Sequence, residues 1–128
     1  MARLFLTFAA ASGFLAVALG AFGAHALRNT LDAYAAGNYQ TAVQYHFVHT
    51  LALLAVGLLC RQTPPRRSLG AAGAAFSIGL LVFCGSLYLL SVTGAKWLGA
   101  ITPIGGVAFL AGWLCLFLWS LRESRHEH

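Results

Sequence analysis

Residues Leu69–Ser91 read LGAAGAAFSIGLLVFCGSLYLLS, without one charged side chain. At about 1.5 Å per residue, a helix of this length covers the roughly 30 Å hydrocarbon layer of a bilayer. An isolated strand or loop could not cross, because its backbone N–H and C=O groups would go unpaired in lipid. Three similar stretches flank this one, at about Leu4–Ala24, Thr41–Cys60 and Thr102–Leu121. The polar residues fall in the gaps. The pattern predicts an all-α fold, a four-helix transmembrane bundle forming a single membrane domain over residues 1–128.

The composition agrees. Of 128 residues, 59% are hydrophobic and 9% charged, where a soluble domain carries about 25% charged residues. That excess of apolar surface has to face lipid. The formal charge of +5 would suggest nucleic acid in a soluble protein. Here the basic residues cluster at span ends, with no compact basic face and interleaved aromatics, so no nucleic acid partner is expected. The cysteines, Cys60, Cys84 and Cys115, are widely spaced in or at the end of apolar runs. They read as small packing residues, not as a metal or redox motif.

The N-terminus resembles a secretory signal, with Arg3, an apolar run and Ala24-His25-Ala26 as a cleavage-like site. The run is too long for a signal's apolar region of about 7–15 residues, so a retained helix is expected. Residues 26–40 are read as the longest connection, its start an interfacial helix with Leu27, Leu31 and Tyr34 on one side. Pro64 and Pro65 stop the second helix. Thr102-Pro103 reads as an N-cap and first helical position, the alternative being a proline-kinked helix that begins near Trp97. Arg3, Arg61, Arg66, Arg67, Arg122 and Arg125 lie at one end of the spans, against Arg28 and Lys96 at the other. Six against two places both termini and the 61–68 loop in the cytoplasm, with Trp97 and Trp119 near opposite interfaces. The two halves do not repeat one another.

Ser12, Ala16, Gly20 and Ala24 form a small-residue stripe at four-residue spacing, echoed by Ala71, Ala75 and Gly79 and by Gly105, Ala108 and Gly112. Such stripes let helix backbones approach closely, within the bundle or at a homo-oligomer or larger complex. On the second helix, at about 100° per residue, Phe47, Leu51, Leu54 and Leu58 share a lipid face. Tyr45, His49, Ala52 and Val56 lie opposite, with His46 on the shoulder, so His49 points into the bundle.

One polar constellation stands out, formed by His25, Gln40, Gln44, Tyr45, His46, His49 and Thr50 with Tyr88, Ser91, Thr93 and Thr102. With the second helix starting at Thr41 it gathers in the outer half of the membrane. Three readings follow. It is a hydrogen-bond network that locks the helix ends; or His25, His46 and His49 hold a metal or haem; or a His–Tyr–Gln cluster handles protons or binds a quinone. All three readings share one premise, that His25 and His49 approach each other, and a structure with the two on opposite faces would remove the ligand readings. Conventional catalysis finds little support, since Asp32, Glu123 and Glu127 are the only acids and no nucleophile, phosphate-loop or HExxH motif is present. Arg125-His126-Glu127-His128 reads as a solvated tail.

Four segments, Gly20–Leu27 (GAFGAHAL), Thr41–His46 (TAVQYH), Gly85–Leu90 (GSLYLL) and Leu98–Gly106 (LGAITPIGG), together resemble the small membrane-protein family known as domain of unknown function 423. The resemblance runs in order over nearly the whole chain. His25, Gln44, His46, Tyr88, Thr102 and Pro103 are the positions that match its pattern. It implies a multi-pass protein of the bacterial inner (plasma) membrane with four helices, and supplies no activity, cofactor or catalytic residue. The expected function is a non-enzymatic accessory or assembly subunit that packs against membrane partners in the lipid bilayer. The alternatives are a binder of a metal, haem or quinone, and a small transporter or channel.

Overall fold

The computed structural model describes residues 1–125, so the tail from His126 onward, read above as solvated, lies outside the described residues. The order is α1 (Ala2–His25), α2 (Ala33–Gln62), α3 (Arg67–Gly79), a π turn (Leu80–Cys84), α4 (Gly85–Thr93) and α5 (Leu98–Ser124). The segments from α3 to α4 form one continuous rod, Arg67–Thr93, so four helices are long and apolar enough to cross a membrane.

The second helix begins eight residues before Thr41. Asp32 caps it, its carboxylate accepting the Ala35 N–H at 2.8 Å, and Gly37 and Asn38, read as loop residues, lie inside the first turns. A Cβ at Gly37 would meet nothing within 4 Å, so nothing packs there to oppose the helix. The connection shrinks to residues 26–32. Leu27 lies in its turns and Tyr34 in α2, and no separate interfacial helix forms. At the other end of α2 the Thr63 N–H and hydroxyl both bond the Leu59 carbonyl, and Pro64-Pro65 follows.

The last helix also starts early. Three tight turns, with the N–H groups of Leu98, Gly99 and Ala100 bonded to Ala95, Lys96 and Trp97 carbonyls, lead into α5 with Trp97 as the cap residue. Pro103 is therefore inside the helix, and Thr102 is not its cap. The Thr102 hydroxyl turns back to the Leu98 carbonyl at 3.2 Å. This is the start near Trp97 that was the alternative reading.

The helices pack as two triangles sharing an edge. α1 leans on α2, α5 leans on α3, and α2 meets α3 and α4 between them. Bare glycine backbone seats the large side chains. The Phe5 ring fills the place of a Cβ on Gly73, Phe109 that on Gly79, and Phe76 that on Gly112. A Cβ on Gly105 would stand 2.4 Å from the Phe83 backbone nitrogen, so α5 presses directly on the π turn. Phe76, Leu53, Leu69, Val56 and Cys84 form the most deeply buried core. Of the stripe on α1, Ser12 and Ala16 are buried inside the bundle, Gly20 lies beside Val43, and Ala24 is exposed. Leu51, Leu54 and Leu58 face outward with Phe47, as the face analysis predicts.

Four antiparallel spans bring Met1 and the end of α5 to the same end of the bundle. Met1 lies against Gly70. Arg66, in the turn after α2, forms a loose ion pair with Glu123 near the end of α5, at 3.9 Å. Arg28 and Lys96 sit at the opposite end.

Candidate functional site

The new start of α2 changes the depth of the polar residues. At about 1.5 Å per residue, His49 lies about 24 Å along a helix about 45 Å long, and His46 just before it. Both histidines therefore stand near the middle of α2 and not near its start. Ser12 and Trp113 are close to the middle of α1 and α5. Polar groups at this depth have no water to bond and must find partners in the protein.

Each imidazole finds two, on different sides of α2. His46 Nε2 lies 3.0 Å from the Ser12 hydroxyl on α1, and its Nδ1 lies 3.0 Å from the Tyr88 hydroxyl on α4. Ser12 in turn shares a 2.6 Å hydrogen bond with Thr50. The result is one chain, Tyr88–His46–Ser12–Thr50, that ties α1, α2 and α4. A neutral imidazole donates from one nitrogen and accepts at the other, so the chain closes in two senses. With the proton on Nε2, Tyr88 donates to Nδ1. With the proton on Nδ1, Tyr88 accepts, and its own O–H is left to donate elsewhere.

His49 has no such choice. Indole is only a donor, and Trp113 Nε1–H points to His49 Nε2 at 3.0 Å. Nε2 is therefore the acceptor, and the proton sits on Nδ1, which donates to the Tyr45 carbonyl at 2.9 Å. Around this pair the His49 ring stacks on Phe109 with centroids 3.6 Å apart, and Phe76 meets Trp113 edge-on at 5.0 Å. His49 thus serves the triangle of α2, α3 and α5, while His46 serves that of α1, α2 and α4.

The other candidate residues disperse. His25 ends α1, exposed, about 20 Å along the helix from Ser12, so it does not join His46 and His49. Among the described residues no group of three His, Cys, Asp or Glu side chains is close enough to hold a metal ion. All four nitrogens of His46 and His49 are already hydrogen-bonded, which leaves no imidazole lone pair directed at a metal or haem iron. Thr102 pairs with Ser86 at 2.6 Å, a separate clasp between α4 and α5. The Tyr45 ring packs on Phe83 at 4.6 Å and is partly exposed. Gln44 faces a different cleft. Trp113 went unnoticed in the sequence, although an indole in the middle of a span, far from the interfaces where such rings settle, is itself a signal. Ser12 was noticed for its size and not for its hydroxyl.

The His46 chain opens on a groove of about 220 Å³ between α1 and the π turn. Ser12, His46 and Tyr88 contribute to its base, and Leu15 and Leu81 form an exposed rim. The π turn is local to this wall. Single π turns inside α-helices frequently mark functional sites.

The family model described as "Protein of unknown function (DUF423)" matches residues 19–106. The chain belongs to this DUF423 family. Its relatives include the UPF0382 membrane protein YwdK of Bacillus subtilis (strain 168), 40% identical over 120 residues, which cover 94% of this chain and 98% of YwdK. The UPF0382 inner membrane protein YgdD of Escherichia coli (strain K12) is 40% identical over 125 residues, 96% of this chain and 93% of the relative. A UPF0382 membrane protein of Haemophilus influenzae (strain ATCC 51907 / DSM 11121 / KW20 / Rd) is 41% identical over 124 residues, 97% and 98% of the two chains. No solved structure matches. This DUF423 member is thus a multi-pass bacterial inner-membrane protein of a family without an assigned activity. The DUF423 match takes in His46, His49 and Tyr88 and stops short of their partners Ser12 and Trp113.

Proposed function

We propose that this protein binds a lipid-soluble molecule carrying a carbonyl or hydroxyl oxygen, of quinone or quinol type, in the groove between α1 and the π turn, a site lined by Tyr88 and His46 that uses neither His25 nor His49. The observation that carries this reading is Tyr88. Tyr88 lines the groove, and its phenol oxygen uses one hydrogen-bonding direction on His46, which leaves another unspent. When His46 carries its proton on Nδ1, the Tyr88 O–H donates to a carbonyl. When the proton is on Nε2, the Tyr88 oxygen accepts from a hydroxyl. The Ser12–Thr50 pair can reverse its direction to suit either state, so one site meets both forms without moving a backbone atom. The apolar rim takes a ring-sized head group and leaves the tail in lipid.

Organic extraction of the protein, purified with its native lipids, tests this. The expected result is one enriched quinone-type compound per chain. It should be reduced in Tyr88→Phe, which removes only the phenol oxygen, and in Leu81→Trp, which fills the groove from an exposed rim position. Extracts of the wild type and of Leu81→Trp that match would sink the proposal.

A second reading, assembly with a membrane partner or a second copy, is supported by the outer helices. α1 and α5 occupy the far corners of the two triangles, and Phe14, Val17, Val107 and Leu110 on them are largely exposed. The molecular mass of the protein in mild detergent tests it; a single chain with no companion counts against it. The distribution of arginines supports cytoplasmic termini.

A further inference from the structure

We propose that the end of the bundle opposite the termini holds the phosphate headgroup of an anionic membrane lipid, in a cleft between α1 and α2 that is independent of the groove at Tyr88. The cleft has a volume of about 520 Å³ and lies between the last turns of α1, the 26–31 turns and the first turns of α2. Its polar lining includes Arg28, Gln40 and Gln44.

The local hydrogen bonds show why these three are available. Asp32 is committed to the Ala35 N–H, Tyr39 to the Leu19 carbonyl and Thr41 to the Gly37 carbonyl. Among the described residues no hydrogen bond or ion pair engages the side chain of Arg28, Gln40 or Gln44. A guanidinium and two amides thus border one cavity with their donors unspent. Guanidinium matches phosphate oxygens in pairs, and the amides can donate to phosphate or glycerol oxygens.

The wall is built to stay open. The Tyr39 ring occupies the space a Cβ on Gly23 would need, at 2.2 Å, so only glycine admits it. Its hydroxyl is fixed to α1, and the cleft floor is rigid before any ligand arrives. Leu27 and Leu31 supply an apolar flank, and the bare backbone of Gly20 continues the cleft toward the middle of the membrane. Arg28 comes three residues after the end of α1, at the level where lipid phosphates lie. The carboxylate of Asp32 does not line the cleft and is held by its cap hydrogen bond. An amphiphile with its anion at Arg28 and its chain along the α1–α2 seam satisfies both halves of this lining. A free anion would leave the apolar half unused.

Native mass spectrometry of the detergent-solubilised chain, titrated with phosphatidylglycerol or phosphatidylcholine, tests the assignment. The expected result is one retained phosphatidylglycerol per chain, with phosphatidylcholine held more weakly. Arg28→Gln, at an exposed turn position, should weaken retention about five-fold, corresponding to the ~1 kcal/mol of a basic side chain beside anionic lipid. Ala24→Trp, which fills the cleft from an exposed position without altering charge, should weaken it as much. Unchanged retention in either variant, or equal retention of the two lipids, overturns the proposal. Displacement of phosphatidylglycerol by inorganic phosphate alone would show a site for free anions and overturn the lipid assignment.

Discussion

His46 and His49 stand three residues apart on one helix, a spacing that allows a shared site. Three residues turn a helix through about 300°, which leaves the two rings about 60° apart. In a bundle of two triangles this is enough to send them to different neighbours. Face analysis of α2 correctly turned His49 inward, because the lipid-facing leucines left it no other side. It could not supply Trp113, which lies 64 positions further along the chain, since that pairing depends on how α5 crosses α2. The partnership makes a quantitative prediction. Replacing His49 with Leu leaves the indole N–H of Trp113, partly exposed on a lipid-facing helix, without an acceptor, and replacing Trp113 with Phe leaves the buried His49 Nε2 without a donor. Each loss costs on the order of 1–3 kcal/mol, and the double variant relieves part of both. A double-mutant cycle on unfolding free energy should give a coupling of about 0.6–1.7 kcal/mol, the span of such bonds inside membranes. A coupling of zero would mean that Trp113 and His49 do not share the bond.

At the scale of elements, the number of spans and their order were legible, because apolar length is a bulk property of a segment. Their ends were not. Gly37 and Asn38 carry loop chemistry, yet the Asp32 cap starts α2 ahead of them. Thr102-Pro103 carries N-cap chemistry, yet α5 is already under way at Leu98. In both places a local signal for a helix end was outweighed by a helix that began earlier. That difference moves the histidines from the first half of α2 to its middle. The π turn had no sequence signal at all, for it lies where α5 presses Gly105 on the Phe83 backbone. Gly105→Ala should therefore cost stability, about 1–3 kcal/mol as an overpacking change, because the obstacle is backbone and cannot rotate away. Gly85, two residues after Phe83 in the rod that α5 presses on, is the control. A Cβ there meets nothing within 4 Å, so Gly85→Ala should stabilise by about 0.5–1 kcal/mol through helix propensity. Denaturation midpoints of the two variants in mixed micelles should move in opposite directions. A shift in the same direction would show that the close approach of α5 is not what the glycine serves.

At the scale of the whole molecule, the charge pattern and the fold meet in one geometric statement. The residues described at one end include Met1, the last turn of α5 and the turn after α2. Arg3, Arg61, Arg66, Arg67, Arg122 and Arg125 belong to that end, and Arg28 and Lys96 to the other. The excess of arginine supports the proposed orientation, with the first end in the cytoplasm, because short basic segments resist translocation. In that proposed orientation the Arg28 cleft opens on the outer leaflet. A cysteine scan decides this. In a background where Cys60, Cys84 and Cys115 are replaced by Ala, a single Cys is placed at Thr30 or at Thr63. Thr30 lies in the exposed turns before α2, and Thr63 caps its other end. In intact cells a membrane-impermeant maleimide should label the cysteine at position 30 and leave position 63 untouched until the membrane is opened. The reverse pattern would invert the molecule and bring the Arg28 cleft to the inner leaflet. It would leave the hydrogen bonds of His46 and His49 unaffected, since these depend on which helices touch and not on which way the bundle faces.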